Sequence, residues 1–159
     1  EVYAGKLVAA LDRQHPRDLF DILLLKEGDG ITDELLSAFL IYLSCSPRPM
    51  HELLSPNLSS LEERFELEFA GMTVEPVELV TLEASRAWLI SELQSRLTGN
   101  AATYLRGLHD AEPDVSLIGR PAAGNLPAIA WKLQNIETLK RDNPDRYHEV
   151  GQLLEALLH

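Results

Sequence analysis

Five charged side chains near the start of the chain have types and spacings that suit phosphate chemistry. They are Lys6, Arg13, Arg17, Asp18 and Asp21. Lys6 and Arg13 are seven residues apart, so a continuous helix places them two turns apart on one face. Asp18 and Asp21 are three apart and share a face of the next helix. A bend at Pro16 can fold the acidic face against the basic one, giving a site for an anionic ligand on the cations or for a cation on the carboxylates. The plainer alternative is a staple: Asp18 sits in a helix first turn, where the dipole favours it, Asp21 pairs with Arg17, and the charges hold a hairpin together. A second cluster, Leu126-Pro127-Ala128-Ile129-Ala130-Trp131-Lys132-Leu133-Gln134-Asn135-Ile136, carries one lysine in an apolar helical stretch, and such a lysine is expected to reach out to water.

The elements that position these groups read as helices throughout. Apolar residues at Val2, Tyr3, Leu7, Val8, Ala10 and Leu11 give a helical period from Glu1 to Arg13. Pro16 opens a second helix to Lys26, closed by Gly28-Asp29-Gly30. Thr32 caps a third, to about Ser44, and Met50 to Leu54 makes one short turn. Ser59 or Ser60 is expected to start a fourth helix ending near Gly71. The longest runs from about Val77 to Leu97, and Asn100 is expected to cap the next, to His109. Glu112 to Asn125 reads as a loop, and Pro127 and Pro144 each open a helix, to about Arg141 and to Leu158. The fold class expected is all-α, a single domain over residues 1–159 built as a compact array of about eight helices.

Composition narrows the function classes. At 159 residues and a net charge of −11, the surface should repel nucleic-acid phosphates, because the 14 Lys and Arg form no block. No apolar run approaches the roughly 20 residues of a membrane-spanning helix, and no secretory leader is visible. The single Cys45 excludes an internal disulfide and suits a reducing cytoplasm; it reads as a buried, inert thiol. The five histidines show no zinc spacing, so no resident metal is expected. Trp88, Trp131, Phe65 and Phe69 fall at core spacings and read as packing. The chain opens at Glu1, without a Met and in mid-helix, which reads as the continuation of a longer natural chain.

The run Tyr3 to Asp21, Tyr-Ala-Gly-Lys-Leu-Val-Ala-Ala-Leu-Asp-Arg-Gln-His-Pro-Arg-Asp-Leu-Phe-Asp, resembles the C-terminal signature of the AbiEii/AbiGii toxin family of nucleotidyltransferases. Phe69-Ala70-Gly71-Met72 and the Leu126 to Ile136 run are further matches in the expected order. The resemblance implies the helical C-terminal domain of a bacterial, cytoplasmic nucleotidyltransferase toxin, one half of a toxin–antitoxin or phage-abortive-infection pair. It implies that Lys6 holds the triphosphate, that Asp18 and Asp21 are the acidic catalytic residues, and that Arg13 and Arg17 position phosphate or the acids. Lys132 is carried over as a further nucleotide contact. Family members use Mg²⁺ and a nucleoside triphosphate, and some modify transfer RNA. The family's Gly-Gly-Thr-x-Leu-Ser and Asp-x-Asp motifs do not occur here; Gly99-Asn100 with Asp110-Ala111-Glu112 is no substitute. The opening helices, 1–27, are therefore expected to complete a site in an N-terminal nucleotidyltransferase domain of the parent. Alone, this chain is expected to bind neither cofactor tightly and to be inactive. The implied partners are that domain, a cognate antitoxin and a transfer RNA acceptor, and no membrane. The alternative is a non-enzymatic helical protein-interaction module.

Overall fold

The computed structural model describes residues 2–159, so the expected helical residue Glu1 lies outside the described residues. Nine α-helical segments, and no strand, occur among the described residues. They are α1 (Val2–Arg13), α2 (Pro16–Glu27), α3 (Asp33–Cys45), α4 (Met50–Leu54), α5 (Glu62–Arg64), α6 (Leu79–Ser95), α7 (Gly99–His109), α8 (Pro127–Asp142) and α9 (Pro144–Glu155).

Local chemistry sets the helix ends that matter for the site. His15 is the N-cap of α2: its Nδ1 accepts the Arg17 N–H at 3.1 Å, and Pro16 fills the first helical position, where no donor is needed. Gly28 closes α2, donating its N–H to the carbonyls of Leu24 and Leu25. Gly30 then reverses the chain at φ +67°, a left-handed value that glycine adopts without penalty. The Thr32 hydroxyl accepts the Leu35 N–H and opens α3.

The two opening helices form an antiparallel pair held by a shared core. Helix α1 lies against α2 and α3, α2 lies against α6, and α3 lies against α8, which pairs with α9. Leu7, Leu19, Ile22, Phe39, Leu43, Leu82, Leu89 and Leu93 are fully buried between these layers. Burial of each such side chain stabilises the fold by about 1.5–3 kcal/mol, so core packing fixes the helix positions and the surface charges do not. Gly5 lets α3 come close to α1: a Cβ there would meet the Tyr42 ring at 3.2 Å. Deep in the core, the hydroxyls of Tyr104 and Ser44 pair at 2.7 Å, and Ser44 donates onward to the Leu40 carbonyl.

Several boundaries differ from the expectations, for reasons that involve partners distant in sequence. Ser59 and Ser60 cap nothing: the Ser59 N–H is taken by the Gln14 side chain, and the helix begins only at Glu62. After one turn it widens into a π-helical turn over Phe65–Phe69, which brings Phe69 against Phe20 of α2 with ring centroids 5.7 Å apart. Helix α6 is shorter than its apolar pattern at both ends, and α7 starts at Gly99 behind Thr98, without an Asn100 cap. The expected loop from Glu112 to Asn125 carries two short 3₁₀ turns, Val115–Ile118 and Pro121–Asn125.

Candidate functional site

The helical hairpin α1–α2 brings four of the five opening charges into two ion pairs. Lys6 Nζ lies 3.0 Å from Asp21 Oδ1, and Arg13 Nη2 lies 2.8 Å from Asp18 Oδ1. Each cation comes from α1 and each carboxylate from α2, as an antiparallel pair requires. Both pairs face solvent in part: Lys6 is 37% and Arg13 63% exposed, against 29% for Asp21 and 13% for Asp18. Exposed pairs of this kind contribute at most about 1 kcal/mol each to stability. An incoming polyanion can therefore compete for the two cations at little cost to the fold.

Asp18 is the unusual member. One carboxylate oxygen receives the Arg13 guanidinium, while Oδ2 is buried with no hydrogen-bond partner. An unsatisfied buried oxygen costs about 1–3 kcal/mol, and such a group in a native structure calls for a functional or structural reason. Its place in the first turn of α2 offsets part of that cost through the helix dipole.

Arg17 does not pair with Asp21, contrary to the staple arrangement. Asp21 is taken by Lys6, whereas Arg17 is exposed and makes no ion pair among the described residues. The pairing goes across the hairpin because α2 turns Asp21 toward α1 and Arg17 toward solvent.

The donor set does not amount to a metal centre. Among the described residues, no three His, Cys, Asp or Glu side chains gather as a metal would need. Asp18 and Asp21 each already have a cation beside them. The hairpin alone therefore does not fit a divalent ion.

Lys132 lies in a different part of the molecule, and here the expectation is corrected. Its side chain does not reach to water; it is 7% exposed, and Nζ donates to the Ser46 and Arg48 carbonyls at 2.7 and 2.9 Å. It thereby fastens the connector between α3 and α4. Pro47 and Pro49 remove two N–H donors from that connector, leaving carbonyls in excess, which is the signal that could have placed the lysine. Trp131, expected as core, is instead 64% exposed on the rim of an apolar depression of about 830 Å³. Cys45 borders the same depression, half-buried, and burial pushes its thiol up, in keeping with an inert group.

Burial pushes the Lys132 ammonium down to about 8 from an ordinary 10.5. Below pH 8 both folded and unfolded states hold the proton. Between about 8 and 10.5 the folded state has released it while the unfolded state still binds it, so stability rises with pH. The neutral amine keeps two N–H groups for its two carbonyls. Tyr104, Tyr147 and Cys45 are shifted upward and act with the opposite sign at high pH. The effect is therefore read as wild type minus Lys132→Met, by urea unfolding. That difference should move in favour of wild type by about 2 kcal/mol between about pH 7 and 9.5. A flat difference would mean that the lysine is not desolvated.

Two polar residues escaped the sequence reading altogether. Gln14, at the α1–α2 corner, has φ +49° and is 6% exposed. Arg86 is 8% exposed on α6, in register with buried Leu82, Leu89 and Leu93. Neither was legible: the apolar residues of α6 form no one-sided pattern that marks position 86 as core, and a left-handed glutamine carries no sequence signal.

The family comparison covers the hairpin. The family described as nucleotidyl transferase AbiEii toxin, type IV toxin–antitoxin system, matches residues 1–135. The chain belongs to this family. No curated protein and no solved structure matches it. The AbiEii match includes the whole hairpin and reaches Asn135 within α8, so all of the opening charges fall inside it. Family membership points to a nucleotidyltransferase toxin of a toxin–antitoxin system, with an antitoxin as its implied counterpart. Among the described residues, no helix is long and apolar enough to cross a membrane.

Proposed function

We propose that this chain is the helical part of an AbiEii nucleotidyltransferase toxin, and that its opening hairpin contributes one wall of the active centre. The observation that carries this reading is the double ion pair Lys6–Asp21 and Arg13–Asp18, part-exposed, with one buried Asp18 oxygen left unpartnered, inside the region matched by the family. In this reading Lys6 leaves Asp21 to hold the triphosphate, where a cation stabilises charge building up on departing pyrophosphate. Arg13 and Arg17 position phosphate oxygens, and Asp18, freed of Arg13, orients the acceptor and takes its proton as its oxygen bonds to the α-phosphorus. Asp21 keeps Lys6 extended and oriented between turnovers. Lys132, committed to the connector, is left out of this centre.

The rest of the site is proposed to come from a preceding nucleotidyltransferase core carrying Gly-Gly-Thr-x-Leu-Ser and Asp-x-Asp. Its carboxylates would hold the Mg²⁺ that adds positive charge at the triphosphate. Transfer RNA is the proposed acceptor, the cytoplasm the proposed location, and the 159 residues alone are proposed to be inactive.

The competing reading is a non-enzymatic helical interaction module, favoured by the fact that both aspartates already have a cation neighbour. The two separate cleanly in a transfer assay on the full-length natural chain with α-labelled nucleoside triphosphates, Mg²⁺ and total RNA. Label entering RNA with wild type, and lost with Lys6→Ala and with Asp18→Asn, is the expected result. Transfer that survives both substitutions removes the hairpin from the mechanism, and no transfer at all favours the module.

A further inference from the structure

The corner between α1 and α2 is held from two sides. From the core side, Arg86 Nη1 donates to Gln14 Oε1 at 2.8 Å and to the Ser59 carbonyl at 2.7 Å. Gln14 Oε1 also accepts the Ser59 N–H at 3.1 Å, and Gln14 Nε2 donates to the Asn57 carbonyl at 2.7 Å. From the outer side, Arg64 Nη1 donates to the Arg13 carbonyl at 3.0 Å, and His15 Nε2 lies 2.5 Å from Glu68 Oε2. All three corner residues, 13 to 15, are thus tied to the segment 57–68, and Arg86 joins that segment to Gln14.

Packing alone does not account for Arg86. It is buried, burial pushes its guanidinium down, and no carboxylate forms an ion pair with it among the described residues. A buried charge is costly unless its hydrogen bonds are needed, and a leucine or methionine would fill the same stripe of α6. Gln14 is held at a left-handed φ that a non-glycine residue adopts only when its surroundings fix it. The corner also sets how Lys6 and Arg13 on α1 stand against Asp18 and Asp21 on α2.

We propose that Arg86, acting through the Gln14 carboxamide, is a positioning residue that fixes the α1–α2 corner and so the register of the catalytic hairpin. This rests on the nucleotidyltransferase reading above. Arg86 touches no reacting atom; it acts through the corner, where a displacement of about 1 Å is enough to cost up to about a hundredfold in rate.

The test uses the full-length chain, in steady-state transfer assays and amide hydrogen exchange. Arg86→Met should lower kcat about tenfold or more, leave the KM for the triphosphate within about twofold, and speed exchange at residues 13–18. Arg86→Lys, which keeps a charged nitrogen with N–H donors on a shorter side chain, should recover part of kcat. Gln14→Gly is the second variant: glycine tolerates the left-handed φ, so the backbone is not strained while the carboxamide is lost. It should reproduce the kcat loss. Val150→Ala, at a buried position of α9 away from the corner, serves as a destabilised control and should keep kcat. Wild-type kcat in both Arg86→Met and Gln14→Gly overturns the proposal, as does unchanged exchange at 13–18 in Arg86→Met. An equal fall in Val150→Ala would show a merely structural effect and overturn it too. Full activity of Lys6→Ala would instead mark failure of the enzymatic reading, leaving the exchange result to decide the clamp.

Discussion

Lys6→Ala in the full-length chain should lower nucleotide transfer by about a hundredfold to a thousandfold while leaving the fold intact. The rate expectation follows from removing one preorganised cation from developing phosphate charge, worth about 2.7–4 kcal/mol in comparable sites. The stability expectation follows from exposure. Lys6 is 37% and Asp21 29% exposed, so the pair between them contributes at most about 1 kcal/mol and water can solvate the carboxylate left behind. The separation between the two effects is the informative part. A staple would show a small stability loss and no specific rate loss. Lys6→Arg should recover only part of the rate, because a planar guanidinium places its charge differently from a compact ammonium. Circular dichroism melting beside the transfer assay checks both halves.

Asp18→Asn is the second large expectation, at about a hundredfold in kcat. Asparagine keeps the shape of the side chain and an oxygen for Arg13, but it carries no charge and cannot take a proton. Its effect on stability should be small, because the carboxylate oxygen Oδ2 is already unsatisfied in its buried position. A variant that leaves stability within about 1 kcal/mol while kcat collapses assigns Asp18 to chemistry. Asp21→Asn, by contrast, removes only the partner of Lys6 and should cost less in kcat than Asp18→Asn. Equal losses for the two would shift the acidic role from one residue to the pair.

The local parts of this structure were legible in the sequence, and the distant ones were not. The 3.6-residue period of the apolar positions, Pro16, Pro127 and Pro144 at helix starts, and Gly28 at a helix end are nearest-neighbour effects, so the helices and the hairpin follow from them. The bend at Pro16 did fold the cations of α1 onto the acids of α2. The pairing within that set was less accessible: Arg17 and Asp21 satisfy the i, i+4 rule, yet Asp21 turns inward and takes Lys6. Ser59 has the chemistry of a cap, but a glutamine 45 residues earlier in the chain competes for its N–H. Lys132 lies inward because the connector at Pro47 and Pro49 leaves carbonyls of Ser46 and Arg48 that its ammonium satisfies, while Trp131 lies exposed on the rim beside it. In each case a contact with a residue distant in the chain or on another helix overrode a local preference.

The α1–α2 hairpin is proposed to face the triphosphate. A crystal structure of the full-length chain with a non-hydrolysable nucleoside triphosphate tests it most directly. Lys6 Nζ is expected about 2.7–3.0 Å from a phosphate oxygen, released from Asp21, with Asp18 beside the reacting phosphorus. Nucleotide bound elsewhere, with Lys6 still on Asp21 and the hairpin open to solvent, would contradict it.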